Sequence, residues 1–304
     1  MLLPFFLIFI SSNAFFLSLL NGFKDIKKYT LINVSSNISN LALIIFLSYY
    51  LKTLGVLLSL LLSNLIVFFV SIALVKKYSW FNFSNFTIKY DKATVLRLFK
   101  YSLMAITTAI TLPLTQILIR DYITQHMSIE AAGYWQSIGN ISGIYLMFIT
   151  SSLSFYYLPK LSELKDAASI RREIFNGYKI ILPIVGILLL LIFLFKTTII
   201  KLIFTEKFLP MENLFPYYCL GDFFKIASWL ISFLMIAKAM TGIYIIMEVI
   251  FSFSFVLLSI IFLNKFGLQG VTIAYCLNYL TYFISLVLLF RKLFFLHAPV
   301  KKEY

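Results

Sequence analysis

Charge is scarce in this chain. Only 12% of its 304 residues are charged, against 61% hydrophobic, and no water-soluble domain of this size has a core large enough to hide that much apolar surface. Cysteine is scarcer still. Cys219 and Cys276 both fall inside apolar runs, where a disulfide framework has no job, and both read as small core residues. Histidine is limited to His126 and His297, and HExxH, CxxC, GxSxG and GxxxxGK[ST] are all missing. The sequence therefore predicts neither an enzyme nor a cofactor. The opening MLLPFFLIFISSNAFFLSLL also lacks the basic n-region and small-residue cleavage site of a signal peptide, so it reads as a span.

What is present is a succession of apolar runs, each long enough, at about 20 residues, to cross a hydrocarbon core. Backbone satisfaction in lipid allows only helices or closed barrels, and runs that are continuous rather than alternating select helices. The expectation is an all-α polytopic membrane protein of about nine spans, at 1–20, 31–51, 54–75, 101–119, 133–157, 179–195, 216–237, 241–263 and 270–290.

A net charge of +14 suggests nucleic acid in a soluble chain, but here Lys and Arg gather in alternate loops, which is a signature of orientation rather than of a nucleic-acid partner. The basic segments are NGFKDIKKYT, the stretch from Lys76 to Lys100, PKLSELKDAASIRREIFNGYK, the turn near Lys238 and the tail RKLFFLHAPVKKEY. These are expected in the cytoplasm, the C-terminus with them. Nine spans then place Met1 outside, an unusual start that leads us to expect an odd number of helices, about three, upstream of it. The expected organisation is a partial N-terminal lobe of three spans over 1–75, a basic linker over 76–100, a complete six-helix lobe over 101–290 and a cytoplasmic tail over 291–304.

Several spans carry polar residues on one helical face. Gln136, Asn140, Gly143, Met147, Ser151 and Ser154 recur at spacings of 3 or 4, so the fifth span is amphipathic within the membrane, with Ile141, Phe148, Ile149 and Tyr156 opposite. That polar face is either interhelical glue or the wall of a cavity that meets hydrophilic cargo. The second span repeats the pattern with Asn33, Ser36, Asn37 and Asn40, and the fourth with Thr108, Thr111 and Thr115, beside Pro113, Gln116 and Arg120. Span seven adds Tyr218, Asp222, Lys225, Trp229 and Ser232. Asp222 and Lys225 sit roughly 9 to 14 Å into that span by helical rise, where charge is expensive; they form either a ligand site or a self-paired scaffold. Glu248 is read as a structural partner of Lys238, or else as a proton-coupling acid with Asp222. Arg120, at the outer end of its span, is an interface anchor or a ligand.

Taken together and in order, KYSLMAITTAITLPLTQILIRDYI, AAGYWQSIGNISGIYLMFITSSLSFYYLPKLSEL, LGDFFKIASWLISFLMIAKAM and YIIMEV resemble the second half of the Wzx-type flippases. That family comprises the O-antigen and enterobacterial common antigen translocases, within the multidrug/oligosaccharidyl-lipid/polysaccharide exporter superfamily. The resemblance covers Lys100 to Phe295. It implies a twelve-helix transporter of two lobes in the bacterial inner membrane, carrying an undecaprenyl-diphosphate-linked oligosaccharide and working beside a glycan polymerase and chain-length machinery. The cavity candidates are then Arg120, Gln116, Gln136, Asn140, Ser151, Asp222, Lys225, Asn33 and Asn37, with Asp222 and Glu248 the coupling candidates. The rival readings are a drug or ion antiporter of the same superfamily, a membrane polysaccharide polymerase or acyltransferase, and a remnant that does not transport. A polymerase is expected to carry catalytic residues on a large outer loop, and Lys196 to Phe215 offers few.

Overall fold

The computed structural model describes residues 3–23, 25–76, 78, 81 and 91–295, and in residues 3–5 and 295 the backbone only. Much of the expected linker, at 77, 79, 80 and 82–90, and of the expected tail, at 296–304, lies outside the described residues. Among the described residues the regular structure is helical throughout, with no strand, and the chain divides into two compact units, Met1–Tyr90 and Asp91–Tyr304.

The first unit contains α1 (Leu3–Gly22) and α2 (Ile26–Val75). An unbroken helix of 50 residues has a length of about 75 Å, more than twice a hydrocarbon core. The helix breaks at Lys52, where φ is 49° and ψ −129°, between the two spans predicted there. Gly55 follows because a Cβ at that position would stand 2.0 Å from the Leu47 carbonyl oxygen. The second arm buries Gly55, Ser59, Ser63, Val67, Ser71 and Val75, a stripe of mostly small residues at every fourth position that lets helices approach closely. Asn13 of α1 completes the contact by donating to the Asn64 carbonyl at 2.9 Å and accepting from the Ser71 hydroxyl at 3.2 Å.

The second unit runs through α3 (Lys92–His126), α4 (Ile129–Ser152), α5 (Leu158–Glu163), α6 (Ala167–Leu194), α7 (Lys196–Ile203), α8 (Phe215–Ala237), α9 (Thr241–Phe266), α10 (Leu268–Leu289) and α11 (Arg291–Phe295). Three of its helices start at side-chain caps: Asp91 accepts from the N–H groups of Ala93 and Thr94, Ser128 from Ala131, and Asp166 from Ser169. Hydrogen bonds led by the Thr94 and Ser169 side chains hold the Asp91 and Asp166 carboxyls below the usual carboxylate range. A π-turn at Leu153–Tyr157 joins α4 to α5 just before Pro159, whose ring and missing N–H disfavour an unbroken α ladder.

Helix α8 is the axis of this unit. Ile226, Leu230, Ile231 and Met235 are fully buried, and α4, α6, α9 and α10 pack around the helix. An aromatic cluster closes its N-terminal half, with Tyr218 stacked on Tyr275 at 4.5 Å between centroids and Trp135 tilted against Tyr218 at 5.5 Å. Helices α9 and α10 join through Gly267 at φ +61°.

Seven helices in the described residues are long and apolar enough to cross a membrane, one of them the broken α2. Dividing α2 at Lys52 and adding the shorter α1 gives about nine crossings, as the hydropathy of the sequence predicts. The fold is an all-α, multi-pass membrane protein. Cys219 and Cys276 are free thiols in this bundle.

Candidate functional site

The polar groups of the second unit converge on α8. Asp222, with no exposed surface, lies beneath three hydroxyls drawn from two neighbouring helices. Ser142 and Tyr145 of α4 donate to its Oδ2, Ser142 at 2.7 Å, and Tyr275 of α10 donates to its Oδ1 at 2.6 Å. A buried carboxylate is costly unless its oxygens are satisfied. Here both oxygens are satisfied by neutral donors.

Lys225 lies one turn further along α8 and makes no ion pair with Asp222 within 4 Å among the described residues. Its Nζ donates instead to the Tyr275 Oη at 3.1 Å. The ammonium sits among aromatic faces, 5.2 Å from the Tyr279 centroid, 5.3 Å from Trp229 and 5.5 Å from Tyr275, within the range of cation–π attraction. The direct i, i+3 neutralisation considered from the sequence is absent, because the Tyr275 phenol stands between the two charges.

Glu248 of α9 lies within electrostatic reach of Lys225 and accepts from the Thr111 hydroxyl of α3 at 3.3 Å. One turn away, Thr108 and Tyr244 hydrogen-bond at 2.8 Å. The expected pairing of Glu248 with Lys238 does not form: Lys238 donates to the carbonyls of Leu164 and Ser162 at the end of α5. Glu248 emerges from α9 toward α3, and the turn carrying Lys238 faces the α5 terminus, so the short connection between them does not bring the two charges together.

Thr108 and Tyr244 also bound a cavity of about 520 Å³ between α3, α8 and α9, lined otherwise by apolar groups such as Met104, Ala105, Ala109 and Leu112. Pro113, interior to α3, lines it too. The recess adjoins the Thr108–Tyr244 hydrogen bond, and Asp222 and Lys225 are not among the residues that line it.

The remaining predicted residues lie apart from this cluster. On α4, Gln136 and Asn140 hydrogen-bond each other at 3.1 Å, and Gln136, Asn140, Gly143, Met147 and Ser151 are all exposed. This face is unused in packing within its unit, while Ile141, Ser142 and Tyr145 are buried. Cysteines at positions 136, 140 and 151 are expected to react with a hydrophilic maleimide in intact membranes and a cysteine at 141 to stay protected; equal protection at all four argues for helix–helix glue. Gln116 and Arg120 on α3 are exposed and carry no side-chain hydrogen bond among the described residues. In the first unit, Asn33 donates to the Tyr29 carbonyl of its own helix at 3.1 Å and Asn37 is exposed.

Sequence reasoning did not single out Ser142, Tyr145 or Tyr275. The signal existed in part, because Tyr275, Asn278, Tyr279 and Tyr282 follow one another along the last span at helical spacing, the same rule that marked the other polar faces.

This bundle is similar to proteins of known architecture. A crystal structure of a MATE mutant superimposes with a TM-score of 0.79 at 14% identity, over 94% of this chain and 67% of that one. The lipid II flippase MurJ in an inward closed conformation matches with a TM-score of 0.68 at 21% identity, over 93% and 60% of the two chains. At these identities the likeness establishes the transporter fold. In sequence, the chain is 34% identical over 273 residues to the Lipid III flippase of Escherichia coli (strain K12), covering 88% of this chain and 64% of that relative. It therefore spans just under two thirds of the relative's length. The model of the polysaccharide biosynthesis protein family matches residues 1–165, more than half of the sequence. By this match over more than half of its length, the chain belongs to the polysaccharide biosynthesis protein family.

Proposed function

We propose that this protein moves a polyprenyl-diphosphate-linked oligosaccharide, an O-antigen unit or a related glycan such as a lipid III type molecule, from the cytoplasmic to the outer leaflet of the bacterial inner membrane. The physical problem is that a sugar head group does not cross hydrocarbon, whereas the polyprenyl tail remains in it. The observation that carries the reading is Lys225: a cation on a membrane-spanning helix, half-buried and with no direct ion pair among the described residues. A diphosphate is the group such an ammonium recognises, and Gln136, Asn140 and Ser151 offer donors and acceptors to sugar hydroxyls. The 34% identity to a named flippase supports the same cargo class.

In this proposal residues 1–75 belong to one lobe and 101–290 form the other, joined by the basic segment 76–100, and alternation between lobes carries the head group across. Asp222 and Glu248 are the acids placed to couple that motion to a cation gradient. A glycan polymerase and its chain-length partner are the enzymes expected to consume the product. The antiporter reading is weaker: small cationic drugs are repelled by Lys225, and the MATE likeness at 14% identity extends to fold alone.

Complementation tests the function. Expressed in a strain lacking its lipid III flippase, the chain is expected to restore surface glycan, and failure of a stably inserted protein to do so contradicts the assignment. Orientation has its own test, motivated by the alternation of basic loops. Reporter fusions after Ala168 and after Tyr304 are expected to behave as cytoplasmic and one at Ser128 as periplasmic; a cytoplasmic signal at Ser128 inverts the topology.

A further inference from the structure

We infer that Tyr275 is a positioning residue for cargo binding: its phenol keeps Asp222 and Lys225 from collapsing into a self-neutralised pair and so leaves the Lys225 ammonium free for the anionic group of the cargo. The inference rests on the proposed role of Lys225 and assigns a function to a residue that touches no cargo itself.

The geometry is specific. The Tyr275 Oη donates to Asp222 Oδ1 at 2.6 Å and accepts from Lys225 Nζ at 3.1 Å, so one hydroxyl is shared between opposite charges. With Ser142 and Tyr145 on the other oxygen, Asp222 needs nothing from Lys225. Lys225 in turn uses one of its three donors on Tyr275 and makes no other hydrogen bond among the described residues. Without the phenol oxygen, the i, i+3 spacing on α8 lets the ammonium reach the carboxylate directly.

The sequence makes room for this ring at one place. Gly221 immediately precedes Asp222, and a Cβ there would meet Tyr275 Cδ1 at 2.3 Å and Cε1 at 2.7 Å, with the backbone of Cys276 at 3.3 Å. These are clashes with a ring already locked by Tyr218 at 4.5 Å, Tyr279 at 4.9 Å and Phe255 at 5.6 Å. The Gly-Asp pair on α8 thus supplies both the socket for the ring and the acceptor for its hydroxyl.

Equilibrium binding of radiolabelled farnesyl diphosphate to the detergent-purified chain provides the test, with the thermal midpoint of each variant as the control on folding. Tyr275→Phe keeps the ring and removes only the oxygen. It is expected to weaken binding about tenfold, the scale of one charge-linked hydrogen bond. Tyr275→Phe combined with Asp222→Asn is expected to regain binding, since the carboxylate on which Lys225 collapses is gone; a merely structural defect is not repaired by a second buried substitution. Gly221→Ala, which displaces the ring, should bind as weakly as Tyr275→Phe. Unchanged affinity in Tyr275→Phe overturns the inference, and so does weak binding that Asp222→Asn leaves unrestored. If Lys225→Ala itself binds as the native chain does, the underlying reading of Lys225 fails, and that result is distinguishable because it does not involve Tyr275.

Discussion

Lys225→Ala is expected to abolish surface-glycan export while the protein remains in the membrane at its normal level. The side chain is half-buried, its hydrogen bond goes to a tyrosine already anchored by Asp222, and its aromatic neighbours pack against one another without it. Its removal therefore costs the fold little. What it removes is the positive charge offered to a diphosphate, a charge-assisted contact worth about 1.5–3 kcal/mol and so on the order of ten- to a hundredfold in affinity. Asp222→Asn is expected to be milder, because an amide oxygen still accepts from the hydroxyls around it and Lys225 stays charged. A scaffold ion pair gives the opposite pattern: both single variants disappear from the membrane, and the exchange Asp222→Lys with Lys225→Asp restores abundance and export together. In the present geometry the exchange is expected to fail. It places an ammonium beneath Ser142, Tyr145 and Tyr275, which are oriented as donors. Quantitative immunoblotting of membranes alongside surface-glycan staining separates the two patterns.

In the second unit a large loss of stability is expected from Gly270→Ala. A Cβ at this position would lie 2.0 Å from the Phe262 carbonyl oxygen, 2.4 Å from its carbon and 3.0 Å from the Leu263 nitrogen. All three atoms are backbone, so no side chain can swing aside and α9 and α10 must part. Overpacking of this kind costs about 1–3 kcal/mol and more where the backbone cannot yield. The separation also moves Tyr275, about one and a half turns along α10, away from Asp222. Thermal melting in detergent and the amount recovered from membranes should both fall, whereas Gly242→Ala, with no atom within 4 Å of its new methyl, should behave as the native chain. Equal melting of the two variants contradicts the packing described for α9 and α10.

Much of the architecture was legible because lipid imposes it. Hydropathy located the helices, and the parting of spans two and three near Lys52 coincides with the positive φ that breaks α2. The exposed polar face of α4 was legible for a similar reason, since spacing on a helix fixes which residues share a side. What joins one helix to another was not. Asp222 meets Ser142 and Tyr145, 80 and 77 residues earlier, and Tyr275, 53 residues later, and no periodicity encodes those meetings. Lys238 and Glu248 show the converse. Proximity in sequence across a short turn suggested a pair, and the directions in which the two side chains leave their elements prevent it.

In the proposed function a membrane-embedded cation, Lys225, carries an anionic lipid-linked head group across the bilayer. Its most direct test is transbilayer movement of a fluorescent polyprenyl-diphosphate-linked N-acetylglucosamine in proteoliposomes, read as the fraction of label accessible to an impermeant quencher over time. Native protein is predicted to move label between leaflets faster than protein-free vesicles do, and Lys225→Ala, reconstituted in equal amount, to return the rate to that background. Native protein no faster than empty vesicles, or Lys225→Ala as fast as native protein, would contradict the account.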